Sequence, residues 1–395
     1  MKKFIITLIM LSSVIITRAY DAEINGIYYN LDKSSLNAEV TSSPTDKPYA
    51  GDIIIPETVV FESTEYVVSS IADNAFFFCT ELLSISIGDN VKEIGTTAFD
   101  SCDKLSIVSF GKGLKKIGKM AFGSCAGIQT LILPDALESI EESAFSNCKG
   151  LATVSLPNGL IQLGGSAFYY CSALESINIP SGITEIGNMT FMGCVNMTSV
   201  SFPTGLRSIG EHAFRHCVKL QSLNFPSNVT TIGDGAFCEC EGLTTLIIPT
   251  GVAAIGVQSF ANCFNLKKIY LPGSITSVGK MGFYSMGIIY GGDFYCFATE
   301  VPTAEDMAFY VPSFRHKGTL HVPADSIDKY SKASQWKDFA NIVALSDEDQ
   351  YPSGISPILI NDNPKSSVIY GLDGQRLYKP KKGINIINGR KVAIK

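Results

Sequence analysis

The sequence is short of charge, histidine and tryptophan. Only 17% of its residues are Asp, Glu, Lys or Arg, with 31 basic against 37 acidic residues and a formal net charge of −6. A groove for nucleic acid needs a basic stripe, and none is present. With four histidines and no C-x-x-C pair, the usual ligand spacings for zinc are missing. Apolar residues make up 46%, so the chain can bury a core and is not disordered as a whole. Past the N-terminus no run is apolar enough to span a bilayer. At the N-terminus Lys2 and Lys3 precede the run Phe4–Ile16, followed by Thr17-Arg18-Ala19, a small-x-small site. That pattern predicts a cleaved signal peptide over residues 1–19. The alternative is a membrane anchor, for which the run is short. No cysteine lies just after it to carry a lipid.

What the chain does have is an unbroken repeat. Ile94–Cys102 reads IGTTAFDSC and returns as IGKMAFGSC, IEESAFSNC, LGGSAFYYC, IGNMTFMGC, IGEHAFRHC, IGDGAFCEC and IGVQSFANC. Its phenylalanines are Phe76, Phe99, Phe122, Phe145, Phe168, Phe191, Phe214, Phe237, Phe260 and Phe283, a step of 23 without a slip. Its cysteines are Cys79, Cys102, Cys125, Cys148, Cys171, Cys194, Cys217, Cys240 and Cys263. A fixed period of this size means a solenoid.

Leu151–Pro157 shows how one unit folds. Val154 and Leu156 alternate with Thr153 and Ser155, a strand pattern. Pro157 ends the strand, because it has no N–H for a ladder, and Asn158-Gly159 makes the turn. Leu160 and Leu163 turn inward, Gly164 allows a tight bend, and Ala167-Phe168 packs the far wall. Stacked coils lie about 4.8 Å apart, so ten of them predict one parallel sheet about 48 Å long. The Phe and Cys positions then form internal columns.

The boundaries follow from where this pattern holds. Residues 20–66 depart from it and read as an N-terminal β cap, with a hairpin at Asn25-Gly26. Residues 67–290 are the repeats. Over residues 291–345 the register fades after Gly291-Gly292, leaving an irregular last repeat with a strand at Thr319–Pro323. Short helical stretches follow at Ser326–Tyr330 and Ser334–Phe339, and Trp336 is expected to seal the open end. Residues 346–367 are polar, rich in Asp, Pro and Ser, and read as a linker. Residues 368–395 alternate apolar runs with the turns Asp373-Gly374, Lys382-Gly383 and Asn388-Gly389, a small antiparallel β tail.

The repeat resembles the BspA-like leucine-rich repeats of bacterial surface proteins. The features that carry the resemblance are the Pro after the strand, I-G-x-x-A-F and the trailing Cys, across residues 20–345. The Asn usual in other leucine-rich repeats is absent. Ala72, Gly88, Gly111 and Met286 depart from the pattern towards the ends. The resemblance implies a mainly β, right-handed leucine-rich-repeat stack with a parallel sheet, acting in adhesion to host matrix proteins or in coaggregation. The segment Trp336-Lys337-Asp338-Phe339 resembles the closing unit of that class. The tail, ending Lys391-Val392-Ala393-Ile394-Lys395, resembles a type IX secretion sorting domain. The alternative is an ordinary β appendage.

Catalytic and metal chemistry find little support. Nine of the eleven cysteines share one repeat position, where side chains point the same way, so buried thiols acting as apolar filler are expected rather than disulfides. The redox state of Cys238 and Cys296 stays open. His212 and His216 lack a third ligand and read as polar residues on an exposed outer wall. The outward strand rows, Ser84 to Lys268 and Ser86 to Tyr270, contain neither carboxylate nor His, so neither a glycosidase pair nor an activated Ser is on offer. These rows instead present hydroxyl and amide groups, which are ordinary solvent-facing residues unless the face binds something. The departures along them are Ile107, Ile132, Ile247, Lys267, Lys268 and Tyr270, the candidate contact residues. On the outer wall Phe77 and Phe78 are expected to meet the cap, and Tyr169 and Tyr170 form a second aromatic pair.

The expectation is therefore a secreted or cell-surface binding protein, monomeric, without cofactor, metal or catalysis. Its partner would be an extracellular protein, from host matrix or a neighbouring cell surface. A glycan-binding surface module is the alternative, and a polysaccharide-cleaving enzyme comes third.

Overall fold

The computed structural model describes residues 20–44, 47–287, 291–310 and 317–352, together with four backbone strands of the tail. The expected signal peptide lies outside the described residues. The chain divides into two compact units, residues 1–353 and 354–395. In the second, Ile369–Tyr370 pairs antiparallel with both Arg376–Leu377 and Gly383–Ile387, and the latter with Arg390–Ile394. Its Gly turns at 373–374 and 388–389, and Lys382, are outside the described residues.

The first unit is a mainly β solenoid of parallel strands with almost no helix. It opens with a meander of Ala22–Ile24, Ile27–Asp32 and Asn37–Thr41, turned at Asn25 and Gly26, both left-handed (φ 52° and 79°). Gly51–Ile55 pairs parallel with Leu82–Ile87 and starts the strand wall. The Tyr49 ring lies on Phe76 at 4.4 Å, while its hydroxyl accepts from Tyr28 N at 2.9 Å and donates to Thr41 O at 2.8 Å. Tyr49 is thus the plug against the cap. Phe77 and Phe78, expected in that role, are 50% and 65% exposed. They follow Phe76 on the outer turn, where the wall bends away from the core.

Each coil has three walls. The strand wall runs in pieces: Thr130–Ile132 pairs with Thr153–Ser155, Ser176–Asn178 with Ser199–Ser201, and Thr245–Ile247 with Lys268–Leu271. It is not the single long sheet that the period predicts. A second wall, absent from the sequence reading, is made of two-residue strands such as Glu93–Ile94, Lys116–Ile117, Ser139–Ile140 and Gln162–Leu163. Two residues are too few to show an alternation.

The third wall holds the phenylalanines, and it is the continuous one. Phe99 N donates to Ala121 O at 2.7 Å, flanked by Thr97 N to Lys119 O and Ser101 N to Gly123 O, both 2.8 Å. The same three bonds recur at every junction from Asn74–Phe78 to Met281–Ser285. The outer two donors of each set are left-handed, at φ from 51° to 64° where they are not glycine. A non-glycine residue there costs about 1–2 kcal/mol. The strain is offset by turning every second N–H along the axis to meet the next coil. Coil-to-coil cohesion therefore does not depend on the strand wall, which can lapse.

Inside, the ten rings from Phe76 to Phe283 stack in one column with centroids 4.7 to 5.7 Å apart, and Phe309 adds an eleventh ring at 6.0 Å. The register thus continues past residue 290, through a longer coil. Trp336, fully buried, closes the end: its ring meets Phe309 at 4.6 Å and Tyr330 at 5.3 Å, and Nε1 donates to Pro302 O at 2.8 Å.

The cysteines do more than fill space. Each ladder thiol from Cys102 to Cys263 donates to the carbonyl of a Phe in the preceding coil, at 3.0 to 3.3 Å. Phe76 O, for example, accepts from both Cys79 N and Cys102 Sγ. An apolar residue of the same size would leave that lone pair unused. The eleven thiols are free and buried. Burial pushes the Cys217 thiol up to about 12, and Cys79, Cys238 and Cys296 to about 11. Because the thiolate is the nucleophile, labelling by a charged thiol reagent at neutral pH should be negligible in the native protein and should appear only with unfolding. Rapid native labelling, followed by mass spectrometry, would contradict this packing.

Candidate functional site

The outward side chains of the strand wall divide into two groups. Ile107 and Ile132 stand 63% and 74% exposed near the N-terminal end. Ile54 (72%) and Leu83 (45%) join them, because Gly51–Ile55 pairs with Leu82–Ile87, itself paired with Ile107–Ser109. The sequence reading stopped short of these two, since Ile54 lies in the cap. Strand pairing lapses between Ile107–Ser109 and Thr130–Ile132. There a shallow concavity of about 680 Å³ opens, lined by residues that include Ile107, Phe110, Gln129 and Ile132. Against a field of Ser, Thr and Asn, these aliphatic groups are the apolar feature of this end.

Ile247, Lys267, Lys268 and Tyr270 lie at the other end, Ile247 five coils and the other three six coils from Ile132. Nothing in the structure brings the two groups together. Lys267 is exposed, and Ile247, Lys268 and Tyr270 are half-buried. The surroundings of the last two correct the sequence reading. The outward rows do acquire a carboxylate and a histidine, because the wall continues into Asp293–Cys296 and Thr319–Val322, in register with Lys268–Leu271. The step changes from 23 to 25 and then 26 residues, so a fixed period misses them. Following the strand-Pro signal at Thr319–Pro323 back through the longer coil is the clue that finds them.

Tyr270, Tyr295 and His321 form a column of parallel rings, 4.7 and 4.4 Å apart. Lys268 Nζ sits 5.7 and 5.5 Å from the two tyrosine centroids. Asp293 Oδ1 lies 3.1 Å from His321 Nε2, and Asp349 Oδ2 lies 3.9 Å from His321 Nδ1. Hydrogen bonding to the Tyr270 hydroxyl raises the Lys268 ammonium, and burial followed by the Asp293 charge raises Tyr295. Asp349 is held below the usual carboxylate range, first by the Ser346 N–H, with the Ser346 hydroxyl, His321 and Lys268 adding to it. Stacked in this way, the rings turn edges rather than faces outward. The single imidazole occupies the space between the two carboxylates.

The outer wall holds the other expected groups. His212 and His216, read as exposed, are half-buried, and both are left-handed donors between coils (φ 53° and 62°). A left-handed conformation suits His better than most side chains. His216 Nδ1 lies 2.9 Å from Glu239, which also accepts from Arg215 at 3.1 Å. Among the described residues no three ligands converge in a metal site. Tyr169 and Tyr170 pack edge to face at 4.5 Å.

A stack of 23-residue coils with an I-G-x-x-A-F spine and a polar strand wall defines a leucine-rich repeat scaffold. The chain belongs to the BspA type leucine rich repeat family, whose description matches six copies over residues 69–198 and 184–310. A leucine-rich repeat protein from Bacteroides ovatus ATCC 8483 has the same fold, at 22% identity and TM-score 0.54, covering 83% of this chain and 100% of that one. The T. pallidum leucine rich repeat protein is 27% identical with TM-score 0.45, over 49% of this chain and 87% of that one. A leucine rich cell surface protein from Faecalibacterium prausnitzii A2-165 is 24% identical with TM-score 0.36, over 67% of this chain and 92% of that one. No curated protein matches the chain.

Proposed function

We propose that this is a secreted or cell-surface binding protein without catalysis, whose solenoid is a scaffold for protein–protein interaction or adhesion. The observation that carries the reading is the exposed aliphatic set Ile54, Ile107 and Ile132 beside a concavity on a polar wall. Exposed apolar groups gathered on one face are a mark of interaction sites. The partner is an extracellular protein, of host matrix or of a neighbouring cell. Export is supported by Lys2, Lys3 and the apolar run after them, and by the resemblance of the tail to a sorting domain. No helix among the described residues is long and apolar enough to cross a membrane.

A glycan-binding module is the second reading, favoured by the rows of Ser, Thr and Asn. The Tyr270 column argues against sugar stacking, since its ring faces are taken up by one another. The imidazole between Asp293 and Asp349 argues against a hydrolase, which needs open space for a glycosidic oxygen between its carboxylates. The test is capture of matrix proteins by the full chain in parallel with a glycan array. Ile107→Asp with Ile132→Asp should lower capture at least about tenfold, since burying two unpaired carboxylates is strongly unfavourable. Unchanged capture removes this face. Glycan binding without protein capture favours the second reading, and reducing ends released from polysaccharides overturn the absence of catalysis.

A further inference from the structure

The third wall has a direction. Its hydrogen bonds join into three unbroken chains along the stack. One starts Asn74 N to Thr96 O, continues Thr97 N to Lys119 O and Met120 N to Glu142 O, and ends Met281 N to Asp306 O. The chain through the phenylalanines runs from Phe76 N to Ala308 O, and the last from Phe78 N to Tyr310 O. At every link the accepting C=O and the next donating N–H belong to one peptide group, such as that of Thr96 and Thr97. All these groups therefore point alike, N–H toward the C-terminal end. Along an ordinary strand the peptide dipoles alternate and cancel. Here they add, as they do along a helix.

The negative pole is the first coil. The carbonyls that would accept from an earlier coil are those of Asp73, Ala75 and Phe77. Among the described residues no backbone N–H reaches any of them, and the one side-chain donor is the Cys79 thiol, 4.0 Å from Phe77 O. Cys102 and Cys125 reach a Phe carbonyl of the preceding coil instead, a coil that Cys79 lacks. Asp73 is exposed, and its carboxylate, which accepts from Thr96 N at 2.6 Å, adds a full negative charge. On the same turn stand Phe77 and Phe78, 50% and 65% exposed, with ring centroids 6.2 Å apart. Neither ring belongs to the buried core.

A row of carbonyls pointing alike cannot take a β-strand as a full ladder, because a strand offers N–H and C=O in alternation. It cannot take the same edge of a second copy, which offers only carbonyls. It takes donors that carry no acceptor. A cation of that kind is also what an exposed aromatic face attracts. The arginine guanidinium meets both demands, with N–H donors around a plane that stacks on rings.

We infer that the N-terminal edge of the third wall, residues 73–78, is a docking site for an arginine side chain of a partner protein. The guanidinium donates to the open carbonyls while its face lies against Phe77 or Phe78. This surface is separate from the strand wall. Only the source of the arginine rests on the reading of the chain as a binder of extracellular proteins.

The test uses the full chain, with carbon-13 at the carbonyls of alanine and phenylalanine, and the peptide acetyl-Gly-Arg-Gly-Arg-Gly-amide, titrated to millimolar concentration at low salt. The Ala75 and Phe77 carbonyl resonances should move, and a peptide with Glu in place of Arg should move neither. Phe77→Ala with Phe78→Ala should weaken binding about tenfold, through loss of the ring contacts to the cation. Ile107→Asp with Ile132→Asp should leave peptide binding unchanged. No binding to the unaltered chain overturns the inference, as does binding that leaves both carbonyls unmoved. So does equal affinity in the double alanine variant when its thermal midpoint is native. If matrix capture persists while the peptide fails, only this inference falls. If the peptide binds while the two strand-wall changes leave capture unaltered, only the strand-wall reading falls.

Discussion

Phe168→Ala should destabilise the solenoid by about 3–5 kcal/mol, the range for removing a large buried ring and leaving a void. Phe168 is fully buried between Phe145 at 5.5 Å and Phe191 at 5.7 Å, with ring planes within 8°. The void has little means of collapsing. Phe168 N is tied to Thr190 O and Tyr170 N to Met192 O, so the backbone on either side is held at coil spacing. Because each coil touches only its neighbours, the defect should also uncouple the two halves of the stack. Urea denaturation followed by far-UV circular dichroism should show a lower midpoint and a broadened or divided transition. A loss under about 1 kcal/mol would contradict the ring column as the source of stability.

Gly164→Ala should destabilise by about 2–3 kcal/mol, as overpacking against rigid neighbours does. The cause is not a turn conformation, as the sequence suggests, for Gly164 is not left-handed. A Cβ on Gly164 would lie 2.5 Å from both Glu141 C and Glu142 N in the preceding coil. The same contact recurs at Gly118 (2.7 Å from Gly95 C) and Gly233 (2.7 Å from Gly210 C). These are backbone atoms bonded into the second wall, so they cannot step aside. Gly205→Ala is the matched control: its Cβ meets only Ser181 O, at 3.9 Å, and its φ is not left-handed. That substitution should be neutral or stabilise by up to about 1 kcal/mol through the unfolded chain. Equal thermal midpoints for the two variants would remove the close approach of coils as the reason for the I-G pair.

Several features were legible in the chain alone because they are written in residue type at fixed spacing. The Phe step, the Asn25-Gly26 hairpin, the closing Trp336 and the family resemblance are of this kind. The second wall was not, because two residues carry no period. The left-handed donors were not, because Thr97, Met120 and Tyr170 are unusual residues for that conformation and only the demand of the next coil puts them there. At the site, Lys268 and Tyr270 stood out as departures from a polar row. Asp293, Tyr295 and His321 did not, because the insertion before them shifts the count. Asp349 reads as linker composition, and nothing local says that it returns beside His321.

Sequence alone determined that this protein is a stack of like coils with benzyl rings and thiols inside, because a repeated apolar position has nowhere to go but onto its copy in the next coil. Only the tertiary structure decided which wall holds the coils together and where charge, aromatic rings and aliphatic groups meet on the outside. Those meetings depend on backbone direction and on insertions that change register, and neither is a property of any residue taken by itself.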